Sequence, residues 1–248
     1  MSERKDTIKK NLQFILSHFN GQEFIFPRAI TTLESKGQRY PKNEEEALQH
    51  FLEADFKECK INGYPYFDKD HGDNVSPSFL FIEMDLSLCN TCQYPKRKLD
   101  YLLKQTLNKI EKEIHGIPTV LWTGNSYHIC LPIKLSTSNH KDNSPFDLVT
   151  MSKNYKSYTD DDLATEFMRF SATYFTTNNH QQKDLNQNNN NNISIKSCFI
   201  TVPETTNIKN NHIVEVIQKW DGKVSNANTI ASHFLDKIMQ KRQEHAIN

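Results

Sequence analysis

The eight residues FLFIEMDL at positions 79–86 constrain this chain more than any other stretch. In a β-strand successive side chains take opposite faces, so Phe79, Phe81, Glu83 and Asp85 share one face and Leu80, Ile82 and Met84 the other. Such a strand is buried over most of its length and opens onto a polar surface at its end. Two carboxylates at i and i+2 stand about 6.5 Å apart by backbone rise. That spacing suits hard divalent cations bridged by phosphate oxygens, and a strand holds the groups rigidly. The plainer reading is a strand that runs out into solvent through acidic residues, and the segment by itself leaves both readings open.

The flanking pattern gives the strand a setting. Leu99, Leu102, Leu103, Leu107, Ile110 and Ile114 form one helical stripe over 96–115, with Gly116 and Pro118 as its stop. Residues 119–122 and 127–133 are short apolar or aromatic runs joined at Gly124-Asn125, the signal of a hairpin. A second helix is expected over 161–175, with Leu163, Phe167, Phe170 and Tyr174 on one side and Thr159 with Asp162 as a capping box. A strand over 197–202 follows. The order strand, helix, strand, strand, helix, strand predicts an α+β fold built on a ferredoxin-like or RNA-recognition-motif βαββαβ sheet. Such a sheet packs helices on one face and leaves the other for a ligand.

Before that core, the sequence predicts a helix over 7–18, a strand at Phe24, Ile25 and Phe26 halted by Pro27, a helix over 43–51 capped by Asn43, and a strand over 59–64. After it come an alternating strand over 213–220 and a helix over 229–241. We therefore divide the chain into an N-terminal α/β annex (1–75) of the same domain, a central core (76–222) and a C-terminal helix (223–248). The asparagine run at 186–192 has no apolar anchor and reads as an insertion.

Charge narrows the function classes. Lysine plus arginine and aspartate plus glutamate number 30 each, so binding nucleic acid by a global basic field is not expected, whereas a local basic groove is compatible. Five cysteines without a signal peptide point to a reducing, cytoplasmic setting, and no apolar run approaches membrane-spanning length. Cys89 and Cys92 have the spacing of half a zinc site; Cys59 and His71 complete it only if the intervening loop folds back, and zinc is not the expected outcome. Cys130 and Cys198 sit in apolar strands and read as core. Lys96, Arg97, Lys98, Lys104, Lys109 and Lys112 crowd the helix face opposite the leucine stripe, where salt pairs to Glu111 and Glu113 are expected.

The E-x-D pair (Glu83, Asp85) followed by TGNSYH at 123–128 and CFITVPETTN at 198–207 resembles the archaeo-eukaryotic primase superfamily, over residues 50–222. Members carry a D-x-D or D-x-E pair, an S-x-H segment, a third acid and then a strand like R-V-P-G-T-x-N, all on a βαββαβ sheet. The most similar members are primase-polymerase-like proteins of archaea and mobile elements. The resemblance implies a DNA primase or primase-polymerase, a template-dependent nucleotidyltransferase using nucleoside triphosphates and a single-stranded DNA template. It implies Mg²⁺ or Mn²⁺ held by Glu83, Asp85 and a third acid, for which Asp184 is the best match and Asp221 and Glu204 the rivals. It assigns Ser126 and His128 to the triphosphate, with Thr123, Asn125 and Lys196 as further nucleotide contacts. Arg28, Arg39 and Lys60 would be phosphate contacts in the annex. A replication partner protein or helicase would act in trans. Two positions depart from the pattern: Thr201 stands where many relatives have arginine, and Glu204 replaces the glycine of the P-G-T turn. A non-catalytic module that binds single-stranded DNA or nucleotide, or a metal-dependent nuclease, would present much of the same surface.

Overall fold

The computed structural model describes residues 2–66, 75–89, 93–135, 159, 161–176 and 193–247. In chain order the elements are α1 (Ser2–Ser17), β1 (Ile30–Thr31), α2 (Glu44–Glu53), β2 (Lys60–Asn62), β3 (Phe79–Asp85), α3 (Pro95–Ile114), β4 (Thr119–Trp122) and β5 (Ser126–Lys134). Then follow α4 (Leu163–Thr176), β6 (Phe199–Thr201), β7 (Thr206–Asn207), β8 (His212–Ile213), β9 (Glu215–Gln218), β10 (Ser225–Asn226) and α5 (Asn228–Ile247). Residues Leu86–Cys89 make one 3₁₀ turn between β3 and α3.

The central sheet runs β3-β5-β4-β9, with the short β10 continuing alongside the end of β5. β3 and β5 pair antiparallel over seven residues, from Phe79 opposite Pro132 to Asp85 opposite Ser126. The expected hairpin is β4–β5, and the expected late strand is β9, on the outer edge of β4. The fourth strand of the expected plan behaves differently. β6 pairs with β2 in a second sheet of order β1-β2-β6 instead of lying beside β3. The first three strands thus take their expected neighbours, and the fourth joins a sheet begun by the N-terminal third of the chain.

Alternation along β3 explains why two cores exist. Leu80, Ile82 and Met84 face α3, α4 and α5 and share a cluster with Leu99, Ile110, Val120, Phe167, Ile230 and Phe234. Phe79 and Phe81 face the opposite way, into a cluster with Leu12 of α1, Phe19 just beyond it, Phe51 of α2, Ile61 of β2 and Ile200 of β6. Burying each such side chain contributes about 1.5–3 kcal/mol, so the sheet is clamped from both sides. The N-terminal elements therefore cover the face that a bare βαββαβ sheet leaves open, except at the Glu83–Asp85 end.

Local chemistry sets the element ends. Asn43 caps α2 through its side chain, which accepts from the Glu46 N–H at 2.9 Å. At α4 the cap is Asp162 itself, accepting from the Thr165 N–H and hydroxyl, both at 2.8 Å, so the box expected from Thr159 is displaced by one short side chain nearer the helix. α3 ends with His115 in the left-handed region (φ 51°). Gly116 follows because an added Cβ would meet Leu131 Cδ2 and Ser225 Oγ at 2.7 Å. Phe24, Ile25 and Phe26 form no strand; Ile25 and Phe26 instead pack on the Phe79–Phe81 cluster as irregular chain, and β1 starts only at Ile30. No helix among the described residues is long and apolar enough to cross a membrane.

Candidate functional site

The antiparallel register of β3 and β5 places Glu83 opposite His128 and Asp85 opposite Ser126. These four side chains project from one sheet face into a cleft of about 260 Å³. Its walls also include Thr123 and Asn125 from the β4–β5 turn, Glu58 and Lys60 near β2, Thr201 of β6, and Asn207 and Lys209 from the β7–β8 hairpin. A larger recess, about 750 Å³, lies elsewhere, against Tyr64, Pro77 and Ile133, but carries no pair of carboxylates on its walls. Chemistry, not volume, selects the smaller one.

Glu83 and His128 form the centre. His128 Nε2 lies 3.7 Å from Glu83 Oε1, and its ring meets Phe81 edge-on at 5.2 Å between centroids. His128 is buried, and its Nδ1 has no hydrogen-bond partner among the described residues. Burial pushes the Glu83 carboxyl up, but the His128 imidazole, the Lys60 ammonium and the Ser126 hydroxyl outweigh it and hold the group below the ordinary carboxylate value. Glu83 therefore stands ionised at neutral pH.

Asp85 is held at the end of its strand. One oxygen accepts from the Ser87 N–H at 2.6 Å and the other from Asn125 Nδ2 at 3.1 Å. Asn125 belongs to a turn locked from within: the Thr123 hydroxyl lies 2.9 Å from Ser126 Oγ and also donates toward Asn125 Oδ1 at 3.1 Å. Gly124 adopts φ +94° there, which favours glycine. From outside, Asn207 and Asn210 donate their side-chain amides to the Thr123 carbonyl at 2.9 and 3.2 Å. The β7–β8 hairpin thus fixes the turn, and the turn fixes Asp85.

The other expected site residues fall into three groups. Asp184, Cys92 and His71 lie outside the described residues, as does the asparagine run at 186–192. Lys196 lines a separate recess with Tyr40 and Tyr66, not the cleft. Arg28 is fully buried: it donates to the Ile25 and Asn62 carbonyls and to Gln22 Oε1, and its guanidinium stacks 3.9 Å from the Phe19 ring centroid. Burial lowers its pKa to about 9, and it has no surface to offer a phosphate. Arg39 borders another recess beside His50 and Glu53. Lys60 does reach the cleft, paired with Glu58 at 3.0 Å.

Further expectations change with the geometry. Glu204 is exposed, does not line the cleft, and takes φ 65°, the left-handed conformation that a glycine would supply at that turn. Asp221 accepts from the Lys223 N–H in a turn after β9, also away from the cleft. Cys59, Cys130 and Cys198 are buried free thiols, and burial pushes each of them up. On α3 the expected pairs to Glu111 and Glu113 do not form. Lys109 reaches the Tyr174 carbonyl and ring, Lys96 pairs with Asp100, and Arg97, Lys98, Lys104 and Lys112 make no ion pair among the described residues. Asn207 and Lys209 escaped the sequence reading as site residues; the T-x-N resemblance at 205–207 was the available signal for the first.

No family model matches the sequence, and no curated protein is significantly similar to it. Among solved structures, the catalytic domain of primase RepB′ in complex with initiator DNA aligns over 94% of this chain and 97% of its own, with TM-score 0.50 and 13% identity. A structure of primase RepB′ aligns over 95% of this chain and 66% of its own, with TM-score 0.51 and 11% identity. The likeness is one of fold, and it extends nearly end to end: this chain folds like the catalytic domain of a primase.

Proposed function

We propose that the protein is a template-dependent nucleotidyltransferase of the primase-polymerase kind, joining nucleoside triphosphates on a single-stranded DNA template. The observation that carries the reading is the Glu83–Asp85 pair on one strand face of a polar cleft, opposite a buried imidazole with a free Nδ1. The donor set fits a hard divalent cation, since it offers carboxylate oxygens on a rigid strand. Glu83 and Asp85 would hold Mg²⁺ or Mn²⁺, with Asp184 as the proposed third ligand. Bound ions of this kind lower the pKa of an attacking 3′-hydroxyl and offset charge on the leaving pyrophosphate.

The chain's own groups do the positioning. Glu83 is ionised before any ligand arrives. Asn125 and the Ser87 N–H keep Asp85 pointed along the strand end. His128 would turn its buried Nδ1 to a phosphate oxygen, with Ser126 on the same strand face. Lys60 and Lys209 supply positive charge from the opposite wall, the part expected of Thr201's missing arginine. Thr123 acts through the turn that it locks.

A second reading, a non-catalytic module that binds single-stranded DNA or nucleotide, draws support from two observations. Among the described residues no three His, Cys, Asp or Glu side chains converge on a metal-holding position, and both Asp85 oxygens already accept hydrogen bonds. Primer extension with Mn²⁺ and all nucleoside triphosphates separates the two. Wild type should incorporate nucleotide, while Glu83→Gln and Asp85→Asn should abolish incorporation with unchanged melting curves. Both variants extending as fast as wild type would remove the site assignment. DNA degraded without nucleotide use would make the cleft a nuclease.

A further inference from the structure

The acidic cleft shares a wall with a second recess. The turn at 194–197 is pinned by the Ser197 N–H donating to the Ser194 carbonyl at 2.9 Å. It lends Ser197 to the cleft and Ile195 and Lys196 to the neighbouring recess, which has a volume of about 250 Å³. The floor there is apolar, formed by Ala29, Tyr64 and Ile195, all buried. The rim is Tyr40 and Tyr66, whose ring centroids lie 4.5 Å apart at 56°.

Each of these two rings is 44% exposed. Leaving large aromatic surfaces side by side in water forfeits burial that such residues gain elsewhere in the fold. The rim is nonetheless ordered: the Tyr40 hydroxyl donates to Gln38 Oε1 at 2.8 Å, and the Gln38 amide donates to the Lys196 carbonyl at 3.4 Å. The Lys196 ammonium is exposed and makes no ion pair with a carboxylate among the described residues. Exposed aromatic side chains beside an exposed cation are the composition of a site that stacks a base and attracts its phosphate. The volume decides how much of a ligand enters. It falls below the roughly 300–1,000 Å³ of drug-sized sites, which leaves room for one flat ring system.

We propose that the Tyr40–Tyr66 recess binds an unpaired nucleobase of single-stranded DNA, with the adjoining phosphate at Lys196, so that the strand crosses the 194–197 turn into the acidic cleft. The inference rests on the reading of the cleft as a nucleotidyltransferase site for the strand's destination, while its test needs no catalysis. The same base chemistry could arrive on a free nucleotide, so both sources are titrated.

The experiment measures anisotropy of a labelled oligothymidylate, and separately binding of dTTP, against wild type and variants. Tyr40→Ala and Tyr66→Ala should each weaken the oligonucleotide by roughly 5- to 100-fold. Tyr40→Phe and Tyr66→Phe should retain it, dTTP binding should not move, and melting curves should match wild type. Lys196→Ala should weaken binding and reduce the salt slope by about 0.7. Alanine variants that bind like wild type, a loss confined to dTTP, or a wild type without oligonucleotide affinity would each overturn the proposal. Glu83→Gln should keep oligonucleotide affinity; if wild type binds the strand through the tyrosines yet incorporates no nucleotide, the reading of the cleft fails while the recess stands.

Discussion

At His128 one ring holds two contrasting nitrogens. Nε2 faces the Glu83 carboxylate at 3.7 Å, whereas Nδ1 is buried with no partner among the described residues, a situation that costs about 1–3 kcal/mol. A ligand that pairs with Nδ1 removes that cost, which gives the position a reason to discriminate for phosphate. His128→Ala should lower nucleotide affinity by roughly tenfold or more, the worth of a charge-assisted hydrogen bond. The variant has a second expected consequence. Burial raises the Glu83 pKa and His128 leads the opposing effects, so removing the imidazole moves that pKa up. The carboxylate pair that would hold the ion is unchanged, so Mn²⁺ affinity should match wild type at neutral pH. Calorimetric titration of Mn²⁺ and of nucleotide at neutral pH checks this. A uniform loss of every ligand together with a lower melting temperature would make His128 a packing residue. Arg28 is the contrasting case, a cation that the fold consumes internally through three hydrogen bonds and the Phe19 ring.

At the scale of elements, the β4–β5 turn is the part on which the site depends most. Gly124 at φ +94° leaves no room for a side chain, since a Cβ would lie 2.3 Å from Asn210 Nδ2 and 2.6 Å from His212 Cβ. Gly124→Ala should cost about 1–3 kcal/mol, which in a chain of this size lowers the melting temperature by roughly 2–12 °C. It should also depress incorporation at temperatures well below melting, because Asn125 would no longer hold Asp85. Full activity at 25 °C in the variant would show that the clamp does not matter. The same elements show what the sequence made legible. The α3 stripe and the β4–β5 hairpin are local patterns, and Glu83 and Asp85 declare a shared face through the period of two. Ser126 and His128 do the same on β5. Lys60, Asn207 and Lys209 were harder, because only the pairing of β2 with β6 and the closure of the β7–β8 hairpin bring them to the cleft. Strand partnership across more than a hundred residues leaves no periodicity to read. The Phe24–Phe26 run misled for a related reason: aromatic and β-branched residues fit a strand, but here Ile25 and Phe26 pack on the core as irregular chain.

Across the whole molecule, α1 and the central sheet are joined by a buried histidine. His18 Nδ1 lies 2.9 Å from the Phe14 carbonyl, which can only accept, so Nδ1 carries the proton. The Thr119 hydroxyl, 2.7 Å from Nε2, then donates to the ring while its oxygen accepts from the Trp220 N–H at 3.0 Å. The neutral imidazole satisfies every group in this chain of bonds, and a second ring proton would face a hydroxyl already arranged to donate. Burial is the larger effect and lowers the His18 pKa from 6.5 to about 4. The sign follows directly. The unfolded chain binds the proton more readily than the folded one, so the stability is fully present above pH about 6.5 and is lost as pH falls towards 4. The loss amounts to about 3 kcal/mol over that window. His18→Gln removes the titration, and its melting temperature should vary less between pH 6.5 and 4 than that of wild type, whatever its value at neutral pH. Equal slopes for the two proteins would show that His18 does not link pH to folding. Because α1 packs in the same apolar cluster as β2 and β6, which carry Lys60 and Thr201 to the cleft, acid should loosen the wall of the site together with the fold, and nucleotide affinity should fall in parallel with stability in wild type more than in the variant.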